Sequence, residues 1–155
     1  MSELNLNIEP LQFKNVVVGV DESEQGYFAL ANAIHQAKED DANLIIASVL
    51  EMGDLSTIDA LHLGVIKEKR AEIEDHLAKY KAYAESQGTK HVSTIFADGA
   101  KAGEALLQEV VPKVHADLII VGAHSRDGFW ESLGSQAAYI ARHAKISSMV
   151  ARKAN

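Results

Sequence analysis

Short apolar runs alternate along this chain with longer segments that repeat apolar residues at helical spacing. Five runs rich in β-branched residues are predicted strands, at 13–20, 43–50, 91–97, 118–121 and 146–151. Four amphipathic segments between them are predicted helices, at 23–38, 57–87, 102–114 and 134–143. We expect Gly88 to end the long second helix, and Pro112 to fray or bend the last turn of the third.

This alternation of strand and helix predicts an α/β fold with one five-stranded, doubly wound parallel sheet. Right-handed crossovers place helices on both faces of such a sheet, and strands that are covered on both faces are apolar at successive positions. Ligands of open parallel sheets lie beyond the carboxyl ends of the strands, where the winding direction reverses. Asp21 and Gly122 each come directly after a predicted strand. This edge of the sheet is therefore the first candidate site.

The segment 117–135 runs from the fourth strand into a loop punctuated by glycine and serine. Gly122 allows the chain to turn after the strand without the steric cost of a Cβ atom. Gly134 and Ser135 then open the last helix, whose first N–H groups have no partner within the helix and favour an anion. The segment therefore has the features of a phosphate-binding loop.

Length and composition indicate one soluble domain. The chain of 155 residues is long enough to bury its own core, and we expect a tail at 1–12 followed by a domain at 13–155. The tail lacks the basic start and the apolar stretch of a signal peptide or membrane anchor. The absence of cysteine excludes disulfides and thiolate chemistry and fits the cytoplasm, where we expect the protein. A net charge of −7 argues against nucleic acid as a partner.

Several of these residues, taken in order, resemble the universal stress protein family over nearly the whole chain after residue 12. The marks are Val20-Asp21-Glu22-Ser23 after the first strand, Ser48-Val49 in the second, Gly99 after the third, and the segment 117–135. The resemblance implies the strand order 3-2-1-4-5. It also implies a homodimer, formed through the last strand, which is bounded here by Ile146 and Ala151.

Nucleotide-binding members of that family share a loop of the form Gly-x2-Gly-x9-Gly-Ser/Thr. Gly122 matches its first glycine and Gly134-Ser135 its final pair, while Ser125 replaces the second glycine and only the eight residues 126–133 follow it. If that position requires a positive φ, Ser125 carries a strain of about 1–3 kcal/mol, although its hydroxyl can donate to a phosphate. The resemblance further implies that Asp21 binds the ribose or adenine, and that the backbone of Val49 meets the adenine edge.

Each of these positions also has an interpretation that requires no ligand. Asp21 suits a turn or an N-cap before the first helix, and Val49 suits an ordinary place in the core. The glycines and serines suit a turn and a helix cap. A second branch of the family lacks the glycine pattern and is held not to bind ATP. The segment from Asp127 to Trp130, with the aromatic pair Phe129-Trp130, resembles that branch.

Three functions are compatible with these residues. The first is a regulatory or stress-response module that binds ATP or ADP, with Mg²⁺ accompanying the phosphates, and acts as a homodimer. The alternative is a stress protein of the same fold that binds no nucleotide and works through protein contacts. The third is a phosphoacceptor domain with Asp98 as the acceptor and Asp21 and Glu22 binding Mg²⁺; the absence of a Lys-Pro ending to the last strand disfavours it.

Neither strong catalysis nor a histidine metal site is expected. The chain has no complete Gly-x4-Gly-Lys-Ser/Thr loop, no triad and no paired-carboxylate acid and base, so slow ATP hydrolysis is the most that we expect. The seven histidines show no His-Glu-x-x-His or His-x-His spacing, so no metal ligands are predicted among them.

Overall fold

The computed structural model describes residues 3–52, 63–123 and 133–153. The strands are β1 Asn15–Gly19, β2 Asn43–Glu51, β3 Val92–Gly99, β4 Leu118–Gly122 and β5 Ser147–Ala151. The α-helices are α1 Glu24–Asp40, α2 Leu63–Ser86, α3 Ala102–Ala105, α4 Val111–Val114 and α5 Ser135–His143, with a π-helix at Leu106–Val110 between α3 and α4. All five strands pair in parallel in the order β3-β2-β1-β4-β5. The predicted fold class and strand order are confirmed.

Both faces of the sheet are covered, which explains the unbroken apolar runs of its central strands. Val16 and Val18 of β1 belong to one core cluster and Val17 belongs to another, and all three are fully buried. The first cluster draws Leu30 from α1 and Leu77 from α2, and the second draws Leu106 from the π-helix and Ile140 from α5. Burial of one such side chain contributes about 1.5–3 kcal/mol relative to leaving it exposed. Successive valines in β1 therefore stabilise both helical layers.

β1 begins two residues later than predicted, and side chains accept the backbone N–H groups at its entrance. Phe13 N donates to Asp40 Oδ2 at 3.0 Å. Lys14 N and Asn15 N donate to the two carboxylate oxygens of Asp117, at 2.8 and 2.9 Å. One carboxylate just before β4 thus anchors the start of β1 beside it.

α1 and α2 begin or end at residues suited to those positions. Ser23 is the N-cap of α1, and its Oγ accepts a hydrogen bond from Gly26 N at 3.0 Å. The C-cap Asp41 is left-handed, with φ of 51°. Gly88 follows the end of α2 with φ of 95°, a conformation that favours glycine, so the predicted stop is confirmed.

The third predicted helix, 102–114, contains a π-helical stretch that its hydrophobic pattern does not indicate. The π-helix Leu106–Val110 separates two short α-helical segments and lies directly before the turn that contains Pro112. A proline inside an α-helix lacks an N–H donor, and its ring collides with the carbonyl group four residues earlier. That carbonyl belongs to Gln108, within the π-helix. Pro112 therefore disturbs the middle of this segment rather than its last turn.

The segment 3–12 contains neither helix nor strand and is exposed, and it carries four exposed apolar side chains, Leu4, Leu6, Ile8 and Leu11. Gln12 Nε2 donates to Asp40 O at 3.3 Å and ties the end of this segment to the last turn of α1. No helix within the described ranges combines the length and the apolar character that a membrane span requires.

Candidate functional site

A cavity of about 530 Å³ opens at the carboxyl ends of β1, β2 and β4. In the strand order of this sheet, the winding reverses between β1 and β4, which is where open parallel sheets bind ligands. The volume of the cavity lies within the range of small-molecule sites. Five of the six site residues proposed from the sequence line it together, namely Asp21, Val49, Gly122, Gly134 and Ser135.

Ser125, the sixth, lies outside the described residues, as does the aromatic pair Phe129-Trp130. The middle of the glycine-punctuated loop therefore contributes nothing to the geometry described below. Both ends of that loop, at Gly122 and Gly134, are described and line the cavity.

Asp21 forms a tight turn at the cavity rim. Its Oδ1 accepts hydrogen bonds from Ser23 N at 3.1 Å and from Ser23 Oγ at 2.6 Å. The same oxygen lies so close to α1 that a Cβ on Gly26 would be 2.5 Å from it. Asp21 is nevertheless exposed and lines the cavity. It thus has the structural role of a turn residue and is also accessible to a ligand.

The backbone of Val49 faces the edge of the cavity. Val20 N donates to Ala47 O at 2.9 Å, so the backbone groups of Ala47 face β1. By the alternation of a parallel ladder, those of Val49 face the same side. β1 ends at Gly19, so Val49 faces the space beyond its end. Ser48 Oγ donates to Val20 O at 2.9 Å and occupies that carbonyl.

Gly122 is required by packing rather than by a turn. Gly88 is the glycine with positive φ among the described residues, so Gly122 does not need the conformational freedom expected from the sequence. A Cβ on Gly122 would lie 2.7 Å from the backbone carbonyl atoms of Gln25 in α1. The close approach of α1 to β4 therefore explains this glycine without a ligand, although the residue also lines the cavity.

The N-terminus of α5 lies at the cavity without a side-chain cap. Gly134 is the N-cap, with φ of −63° and ψ of 155°, and its own N–H donates to Ala123 O at 2.8 Å. The next three residues, Ser135, Gln136 and Ala137, line the cavity, and amides at these positions have no acceptor within a helix. Ser135 is thus the first helical residue rather than the cap. This helix end combines amides that have no acceptor within the helix with a positive dipole end, which favours an anion.

Acidic side chains outnumber basic ones in the cavity lining of the described ranges, and this charge disfavours an anionic phosphate. Four carboxylates line the cavity, from Asp21, Glu22, Glu51 and Glu72, and Lys69 is the cation among its lining residues in the described ranges. Glu51 Oε2 accepts a hydrogen bond from Ala102 N at 3.3 Å, so one of these carboxylates is engaged at the start of α3. The uncapped α5 terminus is therefore the main feature of the lining that attracts a phosphate.

Tyr80 and His76 of α2 lie beside the loop that carries Glu22. His76 Nδ1 is in hydrogen-bonding contact with Glu22 Oε1, and the rings of His76 and Tyr80 are 6.4 Å apart. Burial raises the pKa of the Tyr80 hydroxyl well above its usual value of 10.0, and the neighbouring Tyr27 and the carboxylate of Glu22 raise it further. The Tyr80 hydroxyl therefore stays protonated at neutral pH.

Comparison with known proteins assigns this fold and sequence to a family. The sequence profile described as "Universal stress protein family" matches residues 12–152. The chain belongs to the universal stress protein family. The family predicted from the loop and strand-end residues is therefore confirmed.

Similar proteins include a universal stress protein of Staphylococcus aureus strain USA300, named as putative, which is 27% identical over 92% of this chain and 86% of its own. Among solved structures, universal stress protein UspA from Lactobacillus plantarum has a TM-score of 0.82 at 20% identity, over 92% of this chain and all of its own. A universal stress protein in complex with cAMP has a TM-score of 0.69 at 24% identity, over 93% of this chain and all of its own. Both structures share the fold of this universal stress protein.

Two features of this universal stress protein were missed at the sequence level. Gln136 Oε1 accepts a hydrogen bond from Gly103 N at 2.7 Å and joins the first turns of α5 and α3 at the cavity. Glu22, Glu72 and His76 place one ligand atom each within 4.8 Å of one another. The i,i+4 spacing of Glu72 and His76 was a readable signal, because such residues share a helix face. Glu22 comes from another part of the chain, which spacing alone does not reveal.

Proposed function

We propose that this universal stress protein binds ATP or ADP in the cavity at the carboxyl edge of its sheet and acts as a regulatory or stress-response module. The observation that carries the proposal is the uncapped N-terminus of α5, which lies in the same cavity as the open backbone edge of Val49. One feature suits phosphate and the other suits a planar base. A cavity that offers both fits a nucleotide.

The adenine would meet the backbone N–H and C=O groups of Val49, where β1 no longer covers β2. The exposed carboxylate of Asp21 would accept from ribose hydroxyls, because one of its oxygens is held by the Ser23 turn and this fixes its direction. The phosphates would bind the first amides of α5 and the Ser135 hydroxyl. We propose the same role for the Ser125 hydroxyl, which lies outside the described residues.

The solved relative in complex with cAMP supports an adenine nucleotide as the ligand class for this fold. An acidic lining and a polyphosphate repel each other, so Mg²⁺ bound to the phosphates would lower the cost of binding. We propose no catalytic residue. Two expectations from the sequence stay predictions. They are that ATP hydrolysis is slow at most, and that the protein is cytoplasmic.

We further propose a homodimer formed through β5. This strand is at one edge of the sheet and, within the part of the chain that the structure describes, pairs with β4 alone. Ala123 N donates to Ala151 O at 2.9 Å, so by alternation the backbone groups of Ser148 and Val150 face away from β4. An edge with unpaired backbone groups can pair with a second copy of the chain.

Thermal unfolding tests nucleotide binding. At a ligand concentration 100 times the dissociation constant, the native protein gains about 2.7 kcal/mol of stability. We therefore expect ADP or ATP to raise the melting temperature, and GDP at the same concentration to raise it less, because its base presents different groups to the Val49 backbone. Equal melting temperatures with and without saturating adenine nucleotide would contradict the proposal.

A specific observation favours the alternative, a stress protein that works through protein contacts without nucleotide. Packing against Gln25 explains Gly122, and a backbone hydrogen bond to Ala123 O holds Gly134, so neither end of the loop needs a ligand. Denaturing freshly purified protein and analysing the released small molecules separates the two functions. A stoichiometric ATP or ADP peak excludes the alternative, whereas protein free of nucleotide that also shows no thermal shift supports it.

A further inference from the structure

Two carboxylates and one imidazole converge at the wall of the cavity. Glu22 comes from the loop after β1, and Glu72 and His76 come from α2. Each offers one ligand atom, and the three atoms lie within 4.8 Å of one another. Glu22 and Glu72 also line the cavity. The cluster therefore has access to whatever the cavity holds.

The donor set is mixed rather than purely acidic. Glu72 and His76 are four residues apart on one helix, a spacing that lets two side chains bind the same ion. Carboxylate oxygen and imidazole nitrogen together suit divalent transition metals such as Zn²⁺, whereas Mg²⁺ and Ca²⁺ prefer oxygen ligands alone. The presence of His76 thus favours a divalent transition metal over Mg²⁺ or Ca²⁺.

The charge balance favours a cation at this place. The carboxylates of the cavity lining outnumber the cationic side chains of the lining in the described ranges. His76 contacts the carboxylate of Glu22, and the carboxylate of Glu72 lies beside these two groups. A divalent ion would neutralise both carboxylates at once and would be bound by all three side chains.

We propose that Glu22, Glu72 and His76 bind one divalent transition-metal ion of the Zn²⁺ class. The site does not depend on nucleotide. Three protein ligands leave a coordination position of a tetrahedral ion free for water or an anionic group. Because two of the ligands line the cavity, an ion there would also attract an anionic ligand into it.

Calorimetry with Zn²⁺ on the full chain, stripped with EDTA and free of nucleotide, tests this site. We expect one ion per chain. We expect Glu72→Gln and His76→Gln each to weaken Zn²⁺ binding by roughly tenfold or more, since loss of a partner in a metal site costs at least that much. His35→Gln, which changes an exposed histidine of α1 outside the cluster, is the matched control and should bind as the unmodified protein does.

Side-chain NMR of the histidine rings gives a second readout that does not depend on a variant that folds. Zn²⁺ should shift the His76 ring signals and leave those of His35 in place. Undetectable Zn²⁺ binding, unchanged His76 signals, or unchanged affinity in either Glu72→Gln or His76→Gln would each overturn the three-ligand site. Because nucleotide is absent throughout, these outcomes are independent of the nucleotide proposal.

Discussion

A Cβ atom on Gly122 would lie 2.7 Å from the backbone carbonyl of Gln25, so β4 and α1 approach each other more closely than any residue but glycine allows. The atoms in the way belong to the backbone, which cannot rotate aside as a side chain does. The first glycine of the loop motif therefore fixes the distance between helix and sheet below the cavity.

Gly122→Ala should accordingly destabilise the protein whether or not nucleotide is bound. Overpacking of this kind costs about 1–3 kcal/mol, and denaturant unfolding measures it. Gly64→Ala in the first turn of α2 is the control, because a Cβ added there would have nothing within 4 Å and a helical alanine is favoured over glycine by up to about 1 kcal/mol. Equal stability of Gly122→Ala and the unmodified protein would contradict the packing role.

The carboxylate of Asp117 should be a second determinant of stability. It accepts from Lys14 N and Asn15 N and joins the starts of β4 and β1. Hydrogen bonds to a charged group contribute about 1.5–3 kcal/mol, so we expect Asp117→Ala to lower the free energy of unfolding by at least that amount. Asp117→Asn keeps one acceptor oxygen and should lose less. If both variants unfold like the unmodified protein, the anchor has no energetic role.

Alkaline pH should destabilise the protein through Tyr80. Its pKa is raised in the folded state, so its ionisation favours unfolding; the stability is fully present below pH 10.0, the unfolded value, and falls as the pH rises above it. In metal-free protein, Tyr80→Phe should therefore lose less stability between pH 9 and pH 11 than the unmodified protein loses. The unfolded chain releases this proton near the middle of that range and the folded protein releases it later. Because Tyr80 is only partly buried and solvent screens its neighbours, the difference should stay below about 1 kcal/mol.

Tyr83→Phe is the control for this experiment, because Tyr83 is exposed on the same helix. Absorbance of tyrosinate supplies a direct readout. Tyr80→Phe should remove the component that titrates last, and Tyr83→Phe should leave it. A last component that persists in Tyr80→Phe would show that another tyrosine carries the raised pKa.

The dimer proposal predicts that Ser148→Pro converts the homodimer to monomer. Ser148 is exposed and its N–H faces away from β4, so proline removes a donor from the free edge and none from the ladder. Thr94→Pro makes the same change on β3 at the opposite edge, where the backbone of Thr94 also faces outward, and should leave the mass unchanged. Light scattering measures both. Dimer loss in Thr94→Pro alone would place the interface at β3.

The fold was predictable from sequence because its signals are local and repeated. The valines of β1 alternate between two core layers, and each helix between strands has its own apolar stripe. Ends were less predictable where distant side chains intervene. β1 starts at Asn15 rather than at 13, and the backbone donors of residues 13 and 14 bind Asp40 and Asp117, which are far away in sequence.

The sequence predicted which residues lie at the candidate site, but not the tertiary contacts that explain their positions. Strand ends and helix starts placed Asp21, Gly134 and Ser135 at one edge, the family resemblance added Val49, and the structure brings all four to one cavity. The explanation of Gly122 by contact with Gln25 depends on how closely α1 packs, which no local pattern encodes. The approach of Glu22 to Glu72 and His76 of α2 depends in the same way on tertiary structure.

Calorimetric titration of ADP in Mg²⁺ buffer, on the unmodified protein and on Ser135→Asp, tests the central claim most directly. A carboxylate at the first position of α5 complements the helix dipole and should stabilise the fold by about 0.3–1 kcal/mol, while it repels phosphate from the same amides. We predict binding of one ADP per chain, weakened about tenfold or more in Ser135→Asp. Ser93→Asp, the same charge change at an exposed position of β3, should bind normally. Absence of ADP binding to the unmodified protein, or equal affinity in Ser135→Asp, would contradict a phosphate site at the start of α5.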